Sequence, residues 1–153
     1  MTESTALHVP AGGGLGNAAF DLPRRILVTG AASGGAFTVF EEDVPEGFGP
    51  PLHVHRAETE FFRVLEGRVR FHCEGREFEA GPGDTVLIPA GARHAFKGLG
   101  PGPARTLVVL TPGGFDRFFV EVEAAGLRAP ADMTAILEVA GRHGIDFVGP
   151  PLD

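Results

Sequence analysis

The sequence predicts a single all-β domain, a barrel or sandwich, with a short helical segment at its C-terminal end. The 153 residues include 23 Gly and 13 Pro. These turn-forming residues separate short apolar runs, which is typical of barrels and sandwiches. After residue 112 the apolar residues change from an alternating to a helical spacing. A chain of this length can bury a core of its own as one domain.

Nine segments have the composition of β-strands, being mostly apolar or alternating and bounded by Gly, Pro or charged residues. The sequences "LEGR" at 65–68 and "CEGR" at 73–76 predict tight turns, because glycine readily adopts a positive φ. The predicted strands cover residues 25–30, 36–43, 51–55, 60–67, 68–74, 76–80, 84–90, 93–98 and 105–112.

Two helices are predicted after the strands. Residues 115–126 form the first, with Gly126 as its stop, and residues 132–144 form the second, with Asp132 as a candidate N-cap. Each has apolar residues at helical spacing, which predicts one buried face. These faces comprise Phe115, Phe118, Phe119 and Val122 in the first helix, and Ile136, Leu137, Val139 and Ala140 in the second.

The tail after the second helix is predicted to be extended, because its paired prolines, Pro150 and Pro151, cannot continue a helix. No internal repeat and no linker interrupts the chain. We therefore expect one domain, made of an N-terminal strand extension (1–35), a barrel (36–112) and a helical extension with its tail (113–153).

Charge and composition exclude several classes of function. The net charge is −7, and no basic run is longer than the pair Arg24-Arg25, so neither nucleic acid nor an anionic membrane is an expected partner. The single cysteine, Cys73, excludes an intrachain disulfide and fits a reducing compartment. No secretory leader and no apolar run of about 20 residues is present, so we expect a cytoplasmic protein.

The stretch "PLHVHRAETEFF" carries the residues that indicate a metal site. His53 and His55 are two positions apart on a strand and therefore project from the same face. Two converging imidazoles are suited to a divalent metal. Glu58 and Glu60 share a face on the next strand; Glu60 is favoured because it begins the apolar run, but alternation alone leaves the choice open. His94 is the natural third imidazole.

The spacing of these residues resembles a known motif. Gly47, His53, His55, Glu60 and Gly67 are separated by five, one, four and six residues. This pattern is similar to the first motif of the cupin family.

A second segment resembles the other cupin motif. Gly83, Pro89, Gly91 and His94 are separated by five, one and two residues. Gly98 departs from the pattern, because the second motif usually ends in Asn; that Asn is a turn residue and not a ligand. Two motifs in the right order are a strong signal where either alone would be moderate.

The resemblance implies the cupin jelly-roll barrel, a double-stranded β-helix, and settles the choice of carboxylate in favour of Glu60. It is closest to small single-domain metal-binding cupins of the quercetin-dioxygenase-like type. In that family Glu60 would also be the catalytic base. The implied metal ligands are His53, His55, Glu60 and His94.

The remaining residues have more ordinary expectations. Glu58 is expected to be solvated, with an outer contact to a ligand histidine as the less favoured alternative. His72 is expected to point outward, and Cys73 to be a small buried hydrophobe. Several apolar residues are expected both to fill the core and to form a substrate wall or its mouth. They are Phe62, Val64, Phe71, Phe96, Phe48, Phe115 and Phe118.

The site predicts one divalent transition metal, Fe, Mn, Ni, Cu or Zn, with open positions for a small molecule. The first hypothesis is a dioxygenase-like oxidoreductase that acts on a small enol or flavonol-type or aromatic substrate. The alternatives are a non-redox cyclase, isomerase or lyase, and a non-catalytic cupin that binds a small ligand. A homodimer is expected, with "RILVTG" (25–30) as a candidate edge strand for pairing.

Overall fold

A computed structural model describes residues 5–153 and shows two antiparallel β-sheets that face each other. The strands of the predicted barrel are divided between the two sheets, and most consecutive strands lie in different sheets. The six-stranded sheet has the order β1-β2-β3-β10-β5-β8, and the five-stranded sheet has the order β11-β4-β9-β6-β7. The strands are Leu15–Asn17 (β1), Arg24–Val28 (β2), Thr38–Val44 (β3), Pro51–His55 (β4), Thr59–Glu66 (β5), Val69–Cys73 (β6), Arg76–Ala80 (β7), Thr85–Ile88 (β8), His94–Gly98 (β9), Ala104–Thr111 (β10) and Ile145–Pro151 (β11).

All nine predicted strands are present, and the all-β prediction with a C-terminal helical part is confirmed. The bounds of β4 and β7 agree with the prediction at both ends. Two further strands were not predicted as strands. β1 has only three residues, one of them glycine, and β11 contains two prolines. Proline is tolerated in β11 because that strand lies at the edge of its sheet.

The strand "RILVTG" was expected at an edge, and the structure corrects this. β2 lies between β1 and β3, and β1 covers it through the pairs Leu15 with Ile26 and Asn17 with Arg24. The edge of this sheet is therefore β1. The homodimer stays a prediction.

Side chains alternate between the core and the surface along each central strand. In β10, Val108 lies opposite Phe40 of β3 and Phe62 of β5, and all three are almost fully buried. Two residues along, Leu110 lies opposite Glu60. The interior is therefore layered, with an apolar layer directly beside the layer that holds Glu60.

The two helices, Asp116–Ala124 (α1) and Met133–Arg142 (α2), lie close to their predicted positions. The predicted face of α1 is buried, but Leu137 of α2 is 47% exposed, contrary to expectation. Asp132 occupies the N-cap position without capping α2. Its Oδ2 atom accepts a hydrogen bond from the Arg128 N–H instead, so the side chain closes the preceding turn.

Asp116 fixes the start of α1 against the barrel. Its Oδ1 atom accepts hydrogen bonds from the Gly30 N–H at 2.9 Å and from the Thr38 hydroxyl at 2.8 Å. The backbones also approach closely here, because a Cβ on Gly30 would lie 2.3 Å from the nitrogen of Gly114. This attachment determines where Phe115 enters the barrel interior. Within residues 5–153, neither helix has the length and hydropathy needed to cross a membrane.

The structure gives a physical reason for glycine at position 98, where the sequence departs from the second cupin motif. A Cβ there would lie 2.5 Å from the carbonyl oxygen of Pro45 and 3.0 Å from that of Val44. The Gly98 carbonyl also accepts a hydrogen bond from the Gly47 N–H. The loop before β4 is therefore laid directly on the end of β9, which leaves no space for a side chain.

We predict that Gly98→Ala destabilises the fold by roughly 1–3 kcal/mol, because the added methyl group must displace backbone atoms. Gly141→Ala is the matched control, since a Cβ on Gly141 meets nothing within 4 Å. In a helix that change should stabilise by about 0.5–1 kcal/mol. Urea denaturation followed by circular dichroism measures both; equal effects of the two changes would contradict the packing described for Gly98.

Candidate metal centre

Three histidines and one glutamate from three strands meet inside the barrel. His53 and His55 project inward from β4, and His53 is paired directly with His94 of β9. Glu60 comes from β5, in the opposite sheet. All four side chains are buried, with residue exposures of 1–5%. The structure thus brings together the four residues predicted as ligands.

Hydrogen bonds orient two of the imidazole rings. The Nδ1 atom of His53 lies 2.8 Å from the carbonyl oxygen of Pro51, and that of His94 lies 3.0 Å from the carbonyl oxygen of Ala92. A carbonyl can only accept, so each Nδ1 carries the proton and each Nε2 has a free lone pair. In both cases the acceptor is two residues before the histidine. This geometry leaves Nε2 available to a metal.

The donor atoms are close enough to share one ion. One ring nitrogen from each of the three histidines lies within 4.8 Å of the other two. Nε2 of His55 is 3.0 Å from Oε2 of Glu60, and Nε2 of His94 is 3.8 Å from Oε1. Metal–nitrogen bonds of about 2.1 Å place two ligand atoms about 3–4 Å apart, so small movements suffice. Among residues 5–153, buried Nε2 of His94 has no hydrogen-bond partner, as expected of a ligand atom.

The electrostatics of the cluster also suit a cation. Burial, together with the neighbouring His94 and His55, lowers the pKa of His53 to about 3, so its imidazole is neutral at ordinary pH. Burial would raise the pKa of Glu60, but the close contact with His55 and the neighbouring His94 outweigh it and hold that pKa well below its usual range. For His94, the Glu60 carboxylate overcomes the opposing effect of burial and raises the pKa. One carboxylate among imidazoles gives the site a net negative charge when the rings are neutral, which favours a divalent ion.

Glu58 is not solvated, contrary to the expectation from sequence. Its side chain is 12% exposed, and Oε2 lies 3.8 Å from Nδ1 of His55. Neither atom has a hydrogen-bond partner among the described residues. Burial raises the pKa of Glu58, against the opposing effect of His55. Glu60 and Glu58 therefore approach opposite nitrogens of the same ring, which corresponds to the outer contact that the sequence left as an alternative.

A cavity of about 530 Å³ opens beside the cluster and is lined by His53, His55 and Glu60. This volume is in the range of small-molecule sites. Five of the residues predicted as substrate wall line it, namely Phe48, Phe62, Phe96, Phe115 and Phe118. Val64 and Phe71 do not. Both are fully buried, and Phe71 packs behind Phe62 with ring centroids 5.1 Å apart. Their role in binding stays a prediction without support from the lining.

Several residues of the cavity were missed by the sequence analysis. The predicted wall residue Phe115 packs edge-on against His55, with ring centroids 4.6 Å apart. Phe147 of β11 was treated only as part of a tail, yet its ring centroid lies 6.2 Å from that of His53. Arg24 and Glu42 also line the cavity. The alternation of β3 could have indicated Glu42, since it shares the buried face with Phe40.

Comparison with known proteins agrees with this geometry. A family model described as "Cupin domain" matches residues 40–110, which include both motifs and all four ligand candidates. The chain therefore carries a cupin domain over residues 40–110. This confirms the resemblance drawn from the motifs and the double-stranded β-helix architecture.

Individual relatives of this cupin differ in their activities. The quercetin 2,3-dioxygenase of Bacillus subtilis is 32% identical over 99 residues, which are 65% of this chain and 29% of that protein. The probable oxidoreductase virH of Hypocrea virens is 41% identical over 49 residues, 31% of this chain and 22% of that protein. The cupin chain thus spans less than a third of either curated relative.

Among solved structures, the polyketide cyclase RemF from Streptomyces resistomycificus superposes on the cupin with a TM-score of 0.60 and 26% identity. The match covers 69% of this chain and 79% of that one. The match therefore covers a much larger share of RemF than the sequence match covers of the Bacillus dioxygenase.

We predict a graded loss of metal affinity in three variants. His94→Ala removes a ligand and should weaken binding of Co²⁺ or Ni²⁺ by more than about 100-fold, beyond the range typical of outer contacts. Glu58→Ala should weaken it by about tenfold, because His55 then loses the carboxylate beside Nδ1. Glu138→Ala, which removes an exposed carboxylate on α2, is the control and should have no effect.

Calorimetric titration of metal-free protein at constant pH measures all three affinities. An unchanged affinity in His94→Ala would mean that the ion binds elsewhere. Equal losses in Glu58→Ala and Glu138→Ala would show that Glu58 acts only through the overall charge of the protein.

Proposed function

We propose that this cupin is a metal-dependent enzyme, and specifically a dioxygenase-like oxidoreductase acting on a small enol or flavonol-type or aromatic substrate. The observation that supports it most is the convergence of three imidazoles, with the Glu60 carboxylate against two of them, beside a cavity lined largely by apolar residues. Such a site binds an ion while leaving space beside it for a small molecule.

His53, His55, Glu60 and His94 would hold the ion. Three nitrogens and one oxygen suit Fe, Mn, Ni, Cu or Zn, and the absence of a thiolate among them argues against a structural zinc site. When bound, a divalent ion of this set supplies a Lewis acid for a substrate oxygen and, if it is redox-active, a route for electrons to O₂.

The residues of the chain supply orientation, a dry environment and a proton acceptor. Phenylalanine rings cover the cavity on several sides, and His55 itself is packed against Phe115. A flat aromatic substrate would fit between these rings with its hydroxyl towards the histidines. Glu60, ionised because its pKa is low, would accept the proton of that hydroxyl at one of its carboxylate oxygens.

The relatives favour this assignment without deciding it. The Bacillus protein is named a quercetin dioxygenase, and virH a probable oxidoreductase. In a dioxygenase both atoms of O₂ enter the organic product, so no external reductant is needed. The cavity of about 530 Å³, with its phenylalanine lining, is consistent with a substrate of the size and polarity of a flavonol.

Non-redox chemistry is the second candidate, and the likeness to RemF, named a polyketide cyclase, specifically favours it. In a cyclase, isomerase or lyase the same residues would bind a carbonyl or enol oxygen, and Glu60 would move a proton without the participation of O₂. The third candidate is a cupin that binds a small ligand without catalysis, and no observation favours it over the first two.

Oxygen dependence separates the first two candidates. We predict that the metal-loaded protein consumes O₂ in proportion to the loss of a flavonol such as quercetin, and that turnover stops under strict anaerobiosis. An oxygen electrode and absorption spectroscopy make the two measurements. Turnover at an unchanged rate without O₂ would eliminate the dioxygenase and support the cyclase or isomerase; turnover must also be absent in His94→Ala.

Glu60→Gln tests the proposed base. We predict that turnover falls by roughly 10²–10⁴-fold, because the amide cannot accept the proton. Metal content should fall much less, because the amide oxygen is still a donor atom. Elemental analysis and steady-state kinetics provide the comparison. Parallel loss of metal and activity would reduce Glu60 to a ligand.

A further inference from the structure

A buried ion pair that the proposed reaction does not use lies in the same cavity. Arg24 of β2 and Glu42 of β3 are paired in register, and each residue is only 4% exposed. Nε of Arg24 donates to Oε2 of Glu42 at 2.9 Å. Both residues line the same cavity as His53, His55 and Glu60. Burying two charges is costly, and replacing such a pair by apolar residues is often neutral or stabilising, so its presence asks for a reason.

The guanidinium of Arg24 is engaged by the protein itself. Its Nη1 atom donates to Oδ1 of Asn17 at 2.7 Å and to the carbonyl oxygen of Ala19 at 3.1 Å. Its planar face lies 3.9 Å from the ring centroid of Phe119. Arg24 is therefore a fixed support that orients Glu42. An anionic ligand is disfavoured, because it would have to compete with a carboxylate already in place.

Glu42 has capacity for a further hydrogen bond. Arg24 takes Oε2, and the hydrogen bonds of residues 5–153 include none to Oε1. Burial raises the pKa of Glu42, partly offset by Arg24, and the Glu60 carboxylate raises it further. A carboxylate in an apolar cavity with a free oxygen favours a neutral ligand that donates a hydrogen bond.

Along β10, Glu42 is paired with Thr106 and Glu60 with Leu110, so the two carboxylates start from different levels of the sheet. We propose that Glu42, held by Arg24, is a second polar contact for the ligand and binds a hydroxyl group other than the oxygen at the metal. The ligand class is then a neutral, largely apolar molecule with two oxygen functions, one for the metal and one for Glu42. This inference rests on the proposed function for the metal-coordinating oxygen only. Aromatic residues of the same cavity would contact the body of the molecule.

A neighbouring ion pair provides a matched control. Arg25 and Glu41 occupy the next positions on the same two strands, in the same register, with 2.5 Å between Nη2 and Oε2. Their side chains point to the other face of the sheet and are 36% and 25% exposed. A purely structural role in joining β2 and β3 would be shared by both pairs, whereas a ligand contact belongs to Arg24 and Glu42 alone.

The experiment uses metal-free full-length protein and two fluorescent probes, 2-naphthol and naphthalene, which differ by one hydroxyl. The measured quantity is the ratio of their dissociation constants. Arg24→Met/Glu42→Leu keeps the approximate volume, and it should reduce the preference for 2-naphthol by about tenfold. Arg25→Met/Glu41→Leu should leave the ratio unchanged. Glu42→Gln retains an acceptor for Arg24 and should reduce the preference by about threefold.

Circular dichroism establishes that each variant is folded, and Glu42→Gln serves where the double variant is not. An unchanged ratio in the folded variants overturns the proposal, because other groups then hold the hydroxyl. Failure of both probes to bind the wild type also overturns it. Neither result depends on metal, O₂ or turnover, so a failed oxygen-uptake experiment would remove the dioxygenase while leaving this contact intact.

The bridging geometry is tested in the metal-loaded protein under anaerobic conditions. The probes are 3-hydroxyflavone, which offers the metal its adjacent hydroxyl and carbonyl, and derivatives with one further hydroxyl on a distant ring. At least one derivative should bind the wild type about tenfold more tightly than the parent, and lose that advantage in Arg24→Met/Glu42→Leu. If the wild type bound every derivative no more tightly than 3-hydroxyflavone, a ligand that contacts both the metal and Glu42 would be excluded.

Discussion

The pairing of β4 with β9 is the constraint on which the candidate metal centre depends. It places His53 directly opposite His94, and the two-residue period of β4 adds His55 on the same face. Two of the rings are then held by carbonyls of their own strand or of the turn before it. Because these hydrogen bonds are local, the direction of each Nε2 follows once the strands are paired. A slip of one residue would turn His94 away from the interior if β9 moved, and both His53 and His55 if β4 moved.

The two buried carboxylates of the cavity, Glu60 and Glu42, are stabilised by different neighbours. Glu60 is ionised, because the neighbouring His55 and His94 lower its pKa against the effect of burial. Glu42 has a permanent cation beside it, yet burial still raises its pKa. A divalent ion would relieve the first carboxylate more than the second, since only Glu60 lies among the ligand atoms. The cavity thus has one carboxylate suited to a cation and another suited to a neutral hydrogen-bond donor.

The sequence predicted the barrel and the four ligand candidates because both depend on short-range patterns. Strand alternation places His53 beside His55, and motif spacing relates them to Glu60 and His94. What it missed depends on contacts between distant segments. The environment of Glu58 follows from how the chain bends after His55, and β11 became recognisable only through its pairing with β4. Arg24 looked like half of a basic pair, because nothing local indicates that it faces inward.

The candidate metal ligands and much of the cavity wall come from different parts of the chain. All four candidate ligands lie within residues 40–110, the segment that matches the cupin domain. Much of the wall lies outside it: Phe115 is positioned by the bonds of Asp116 to β3 and the segment after β2, and Phe147 arrives with the last strand. Arg24, which orients Glu42, also precedes that segment. A barrel shared with other cupins therefore supplies the reactive centre, while added segments at both ends shape the space in front of it. The family match therefore bears on the candidate ligands and not on Arg24, Phe115 and Phe147, which lie outside it and line the cavity.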